Sequence, residues 1–187
     1  MVVTRPETKR AVFLDRDGVI NRAFVVDGIP TPASALDQLQ ILPRVDDSIK
    51  MLRSAGYEIV VITNQPDVAR GKLSKEAVES IHARLGEELG IRSFYTCFHD
   101  DADSCLCRKP KSGLLTWAAQ DLGLDLGKSY MIGDRWRDIA AGQSAGCQCF
   151  FVDYFYDEKQ PDMPYTRVSS LFEAAQTILE ESHDTVR

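Results

Sequence analysis

Short apolar runs punctuate the chain, and between them apolar positions recur at helical rather than alternating spacing. Residues 10–14 read RAVFL, β-branched and aromatic, and stop abruptly at Asp-Arg-Asp-Gly, which predicts a buried strand with a polar carboxyl end. Val45, Ile49 and Leu52 follow at helical spacing over 44–55, and Gly56 supplies the left-handed cap that ends such a helix. Residues 57–62, YEIVVI, are nearly continuously apolar, as a strand covered on both sheet faces requires, and run into Thr63-Asn64-Gln65. The alternation repeats. A helix from Ser74 carries Val78, Ile81 and Leu85 on one face and ends at Gly90; a strand spans 92–96; a helix over 113–122 stops at Gly123. A strand over 129–132 runs into Gly-Asp, a helix over 135–145 stops at Gly146, a strand spans 147–152, and a last amphipathic helix carries Leu171, Ala175 and Ile178. Residues 21–43, with Pro30, Pro32 and Pro43 and no sustained period, read as a long loop, and long loops in compact domains usually serve function. Strands alternating with helices predict parallel crossovers and an α/β class: an open parallel sheet flanked by helices, one domain over 1–187.

Composition narrows the function. A chain of 187 residues buries a core without disulfides. Its net charge of -6 argues against nucleic acid, whose binders carry excess Lys and Arg. No run approaches the roughly 20 apolar residues of a membrane span. The amino-terminal stretch MVVTRPETKR has no apolar segment of the secretory kind. The 5 cysteines are odd in number, and Cys97, Cys105 and Cys107 crowd together, favouring metal over disulfides. A cytoplasmic protein, expected as a monomer, follows.

The polar residues cluster where open parallel sheets bind ligands, outside the strands' carboxyl ends. Asp15 and Asp17 follow the first strand, Thr63 and Asn64 the second, Asp134 the fourth, and Lys109 precedes a helix. Two close carboxylates repel unless a cation or a proton intervenes. Magnesium prefers oxygen ligands, so Asp15, a carbonyl from Asp17 and Asp134 suit it. Asp15 is the candidate nucleophile toward phosphorus and Asp17 the candidate acid/base. The Thr63 hydroxyl and Lys109 ammonium would hold the transferring phosphoryl oxygens. Each residue alone is equally well a turn residue or a surface charge; the joint placement carries the argument. Arg22 and Arg70 suit a second anion at the rim.

These motifs resemble the haloacid dehalogenase phosphatase superfamily across nearly the whole chain. VFLDRDGVIN, VVITNQ, the Lys109 of CRKPKSG and YMIGDRWRDI match its four motifs in order. The resemblance implies a Rossmann-like fold, Asp15 as nucleophile, Asp17 as acid/base, Thr63 and Lys109 on phosphate, and Asp15, Asp17 and Asp134 on magnesium. DRDGVIN with TNQ, the Ala-Arg-Gly at 69–71 and CRKP looks like the subgroup without a large cap that holds heptose bisphosphate phosphatases and the histidinol-phosphatase domain. That subgroup implies substrate contact by Arg108, with Asn21, Arg22, Asn64, Gln65 and Arg70 the further candidates. The expected substrate is a small phosphorylated metabolite, a heptose 1,7-bisphosphate losing its 7-phosphate, or alternatively histidinol phosphate or another sugar phosphate. Pro66-Asp67-Val68 departs from the heptose enzymes, and the short spacing between His99 and Cys105 is nearer the histidinol-phosphatase domain. A silent phosphate-binding module is the reading from another class.

Cys97, His99, Cys105 and Cys107 spell CxHx5CxC, three thiolates and an imidazole, the donor set of a closed structural zinc site. Such a clip over about 97–107 would fold a loop carrying Asp100, Asp101 and Asp103 and aim Arg108 and Lys109. Cys147 and Cys149 read as strand core, Trp117 and Trp136 as helix packing, although Trp136 could border the site. His82 and His183 read as helix surface, and Asp138 either as an outer support for magnesium or as a helix-face acid.

Overall fold

Which strand occupies the centre follows from burial: the RAVFL run is apolar on both faces, so it must be covered on both. In the computed structural model, which describes residues 8–26 and 28–184, this run is β1 (Arg10–Leu14), with Ala11 through Leu14 wholly buried. The amino-terminal stretch up to residue 7 and the His183 side chain fall outside what is described. The order continues β2 (Phe24–Val26), β3 (Ile29–Thr31), α1 (Val45–Ser54), β4 (Tyr57–Asn64), α2 (Lys75–Leu89), β5 (Ser93–Cys97), α3 (Gly113–Leu122), β6 (Tyr130–Gly133), α4 (Trp136–Ala145), β7 (Gln148–Val152), β8 (Thr166–Val168) and α5 (Leu171–Asp184).

The six-stranded sheet runs β5-β4-β1-β6-β7-β8, every pairing parallel. From β1 the chain first moves outward through β4 and β5, then returns to the other side of β1 through β6, β7 and β8. The reversal leaves a crevice at the carboxyl end of β1, where such sheets receive ligands. Side chains alternate across the sheet and divide the core in two. Val12, Leu14, Ile59 and Val61 pack with Ile49, Leu52, Ile81, Leu85 and Ile178; Ala11, Phe13, Val60 and Ile62 pack with Leu114, Leu115, Ala118 and Ile139. A buried aliphatic or aromatic side chain contributes about 1.5–3 kcal/mol, and Phe13→Ala would cost about 3–5 kcal/mol. The strand ends are therefore held rigidly.

Several expectations need correction. The proline-bearing loop over 21–43 contains an antiparallel hairpin, β2 with β3, and a short 3-10 turn at Leu36–Gln38. β8 extends the sheet by one short edge strand. Trp117 is 45% exposed rather than packed, because α3 buries Leu114, Leu115 and Ala118 instead. His82 is buried, one position beyond Ile81 on the inward face of α2. Cys147 and Cys149 lie in the core as expected. Among the described residues no helix is long and apolar enough to cross a membrane.

Candidate active site and metal centre

The end of β1 is fixed to β6 by the Asp15 amide, which donates to the Ile132 carbonyl at 2.9 Å. Gly18 then turns the chain at φ +90°, and a Cβ there would overlap the Asp134 carboxylate. Only glycine lets this turn lie against the end of β6. At the start of α4, Asp138 accepts from the Arg135 amide at 3.0 Å, so its carboxylate caps the helix while facing inward.

Lys109 crosses from the opposite loop into this cluster. Its ammonium donates to Asp15 at 2.6 Å, to the Ile62 carbonyl at 2.7 Å, and pairs with Asp138 at 2.6 Å. Three donors meet three acceptors, so the lysine is saturated. Burial works against its charge, but Asp138 and Asp15 outweigh that and hold its pKa above the ordinary lysine value. Asp15 is pushed up to about 7 by burial, Lys109 opposing and Asp138 and Asp17 adding to the rise. Asp134 is raised well above the usual carboxylate range by burial and then by Asp15 and Asp138. Tyr156 donates to one Asp134 oxygen at 3.0 Å; the other, buried, has no hydrogen-bond partner.

This arrangement tests the fit of a divalent cation. Ligand oxygens of Asp15, Asp134 and Asp138 lie within 4.8 Å of one another, three carboxylates against one ammonium, with an orphaned acceptor among them. A hard, oxygen-seeking ion such as magnesium fits that set.

A cavity of about 350 Å³ opens above the cluster. Asp15, Thr63, Lys109, Asp134 and Asp138 line its buried side, with the partly exposed Asp17 beside them; Arg70, Arg108 and Arg137 line its mouth. Other candidates are placed less directly. Asn21 and Gln65 are fully buried and both donate to the Asp17 carboxylate at 2.9 Å, facing Asp17 rather than the opening. Asn64 exchanges hydrogen bonds with the Lys109 backbone at 3.0 and 3.1 Å. Arg22 lines a neighbouring cavity beside Tyr154 and Tyr156. Trp136 borders neither cavity, its ring lying under Arg137 and Lys159.

Cys97, His99, Cys105 and Cys107 converge. Sulfur–sulfur separations are 3.7, 3.4 and 3.2 Å, and His99 Nδ1 lies 3.6 Å from Cys97 and 3.2 Å from Cys107. Bonds of about 2.3 Å to a tetrahedral ion imply edges of about 3.8 Å, so this donor set could hold zinc with little movement. The loop's acids turn toward the rim: Asp100 binds Arg70 at 2.6 and 2.8 Å, while Asp101 binds Arg108 at 2.8 Å and Arg137 at 3.3 Å.

Sequence reasoning undervalued Asp138, which is buried against Lys109 rather than solvated, and missed Arg16, His82, Arg137 and Tyr156. His82 carried a signal, because position 82 shares the helical face of Val78 and Leu85. Tyr156 carried none, since its approach to Asp134 depends on a loop fold.

Comparison with known proteins gives a consistent result. Residues 31–146 match the family model described as haloacid dehalogenase-like hydrolase. The D-glycero-beta-D-manno-heptose-1,7-bisphosphate 7-phosphatase of Haemophilus ducreyi is 35% identical, over 74% of this chain and 79% of its own. The enzyme of the same name from Pseudomonas aeruginosa is 36% identical, over 78% and 82%. The crystal structure of D,D-heptose 1.7-bisphosphate phosphatase from B. bronchiseptica, complexed with magnesium and phosphate, superposes with a TM-score of 0.81 at 27% identity, covering 92% of this chain and 99% of that one.

Proposed function

The chain belongs to the haloacid dehalogenase-like hydrolases, and from that membership we propose a magnesium-dependent phosphatase that removes the 7-phosphate of a heptose 1,7-bisphosphate by way of Asp15. The observation that carries this reading is the buried Asp15–Lys109–Asp138 bridge beside Asp134, beneath an arginine-lined mouth. The floor suits the phosphoryl group being transferred, and the mouth suits a second phosphate.

On this reading the Asp15 carboxylate attacks phosphorus while the bond to the sugar oxygen breaks. Asp17 gives that oxygen its proton. It then takes one from the water that cleaves the aspartyl-phosphate, releasing phosphate and restoring Asp15. The Lys109 ammonium, exchanging one of its carboxylate contacts for phosphate, and the Thr63 hydroxyl hold the non-bridging oxygens, and Lys109 also opposes protonation of Asp15. Magnesium, held by Asp15, Asp134 and the Asp17 carbonyl, would offset the repulsion between carboxylate and phosphate. Asn64 sets the position of Lys109, while Asn21 and Gln65 orient Asp17, a supporting part in place of direct substrate contact. Arg70 and Arg108 take the distal phosphate; Arg22 would reach only a substrate extending past the hairpin. A structural zinc on Cys97, His99, Cys105 and Cys107 leaves no position open to water. The setting is a single-domain cytoplasmic monomer acting on a small metabolite, apart from nucleic acid and membrane.

Histidinol phosphate remains the competing substrate because of the short spacing between His99 and Cys105. The arginine mouth favours a bisphosphate. Comparing kcat/KM for the heptose bisphosphate, histidinol phosphate and other sugar phosphates tests this, with the bisphosphate expected to lead. Asp15→Asn should lower turnover about a thousandfold or more with the fold intact. Unchanged turnover in that variant with excess magnesium overturns the mechanism, and hydrolysis of any phosphomonoester by the wild type removes the silent binding module.

A further inference from the structure

Arg16, between the two motif aspartates, is the bulkiest fully buried side chain among the described residues. A guanidinium keeps its charge, so it must be met by acceptors wherever it is buried. Its Nε donates to Asp17 Oδ2 at 3.1 Å and its Nη2 to Oδ1 at 3.2 Å, a two-pronged grip on the candidate acid/base. The remaining prong, Nη1, faces His82 Nε2 at 3.2 Å. Arginine offers only donors, so His82 must accept there as a neutral ring carrying its proton on Nδ1. The ring is itself fixed. It stacks on Phe94 of β5 with centroids 4.7 Å apart and planes 17° from parallel. Burial and then the Arg16 charge push its pKa down to about 4, consistent with the neutral acceptor.

We propose that His82 and Arg16 are positioning residues for the proton transfers of Asp17. The stacked imidazole fixes the guanidinium, and the guanidinium sets the aim of the carboxylate, with Asn21 and Gln65 bracing it from other directions. The logic is that of a base oriented by a third group, here with arginine as the intermediate. The inference rests on the reading of Asp17 as the proton donor to the leaving group. A plain structural ion pair would have the same contacts but a different kinetic signature.

The discriminating readout is leaving-group dependence. A sugar alkoxide needs a proton as it departs, whereas nitrophenolate leaves without one. His82→Phe keeps a ring on Phe94 and removes the acceptor; His82→Gln restores an acceptor at similar reach. In the magnesium-loaded full chain, His82→Phe should lower kcat/KM for the heptose bisphosphate by about tenfold or more, leave nitrophenyl phosphate within about twofold, and be rescued by His82→Gln. If His82→Phe does not fold, Arg16→Lys, which keeps charge but loses the fork, carries the same asymmetric expectation. Equal loss on both substrates, no loss on the bisphosphate, or a glutamine variant as impaired as the phenylalanine one overturns the relay. Asp17→Asn is the reference. If it too lowers kcat/KM equally for both substrates, a ratio that ends at phosphoryl transfer and omits the later hydrolysis, the acid assignment falls and the relay with it. If it discriminates between them and His82→Phe does not, only the relay falls.

Discussion

The floor and the mouth of the cavity are both built from pairs of basic and acidic side chains, yet they differ in where those pairs are anchored. At the floor, Lys109 and Asp138 keep 2% and 3% of their side-chain surface, and Asp15 and Asp138 stand at the ends of regular elements. At the mouth, Asp101 is 56% exposed and opens a single short 3-10 turn, while Arg70 and Arg108 belong to loops. An exposed pair is worth about 0–1 kcal/mol, whereas removing one partner of a buried pair costs about 3–5 kcal/mol. The floor therefore keeps its buried groups in place, Lys109 changing only which oxygens it meets when a phosphate arrives. The mouth can exchange an internal carboxylate for a substrate phosphate at little cost.

The largest effect should come from emptying the floor of its cation. Lys109→Met leaves Asp15 and Asp138 without a counter-charge, and activity should fall about a thousandfold or more. Its stability loss should depend on pH in a definite sense. Asp15, with an ordinary value of 3.8 and already near 7, rises further without the lysine. The folded variant then binds protons more tightly than the unfolded one, so stability falls as pH climbs from about 4 through 7. Magnesium-free calorimetry across that window checks the slope; the same decrement at every pH would show the floor to be less desolvated than argued. A smaller effect should follow loss of a clip ligand. Cys105→Ser should open residues 98–106 to limited proteolysis and lower kcat/KM for the bisphosphate by about 10- to 100-fold, with less effect on nitrophenyl phosphate. Equal effects on both substrates would mean that clip and floor are one unit. The smallest belongs to the mouth itself. Asp101→Asn frees Arg108 and Arg137 from a competing carboxylate, so KM for the bisphosphate should fall about two- to fivefold at low ionic strength and converge on wild type as salt is added.

The legible parts of the molecule share a physical cause. Central strands and capped helices are written in local periodicity and in glycines at 56, 90, 123 and 146, all of which adopt positive φ. The residues of the floor were legible because a parallel sheet gathers strand ends at one edge. The hairpin was not, since its strands are only three residues long and contain Pro30. His82 was misjudged because a polar identity outweighed an apolar position, and Arg16 together with the Phe94 ring gives that buried imidazole its partners. The ion pairs of the rim depend on loop paths that no spacing encodes.

Asn64 stands opposite Cys97 in the strand register and grips the Lys109 backbone from both sides. The clip loop thus has both feet planted on a single residue at the end of β4. Residues between those feet can be lengthened, shortened or exchanged with the anchorage of Lys109 unchanged. Substrate range is free to drift by insertion and deletion in the arch, while the chemistry below keeps its registration.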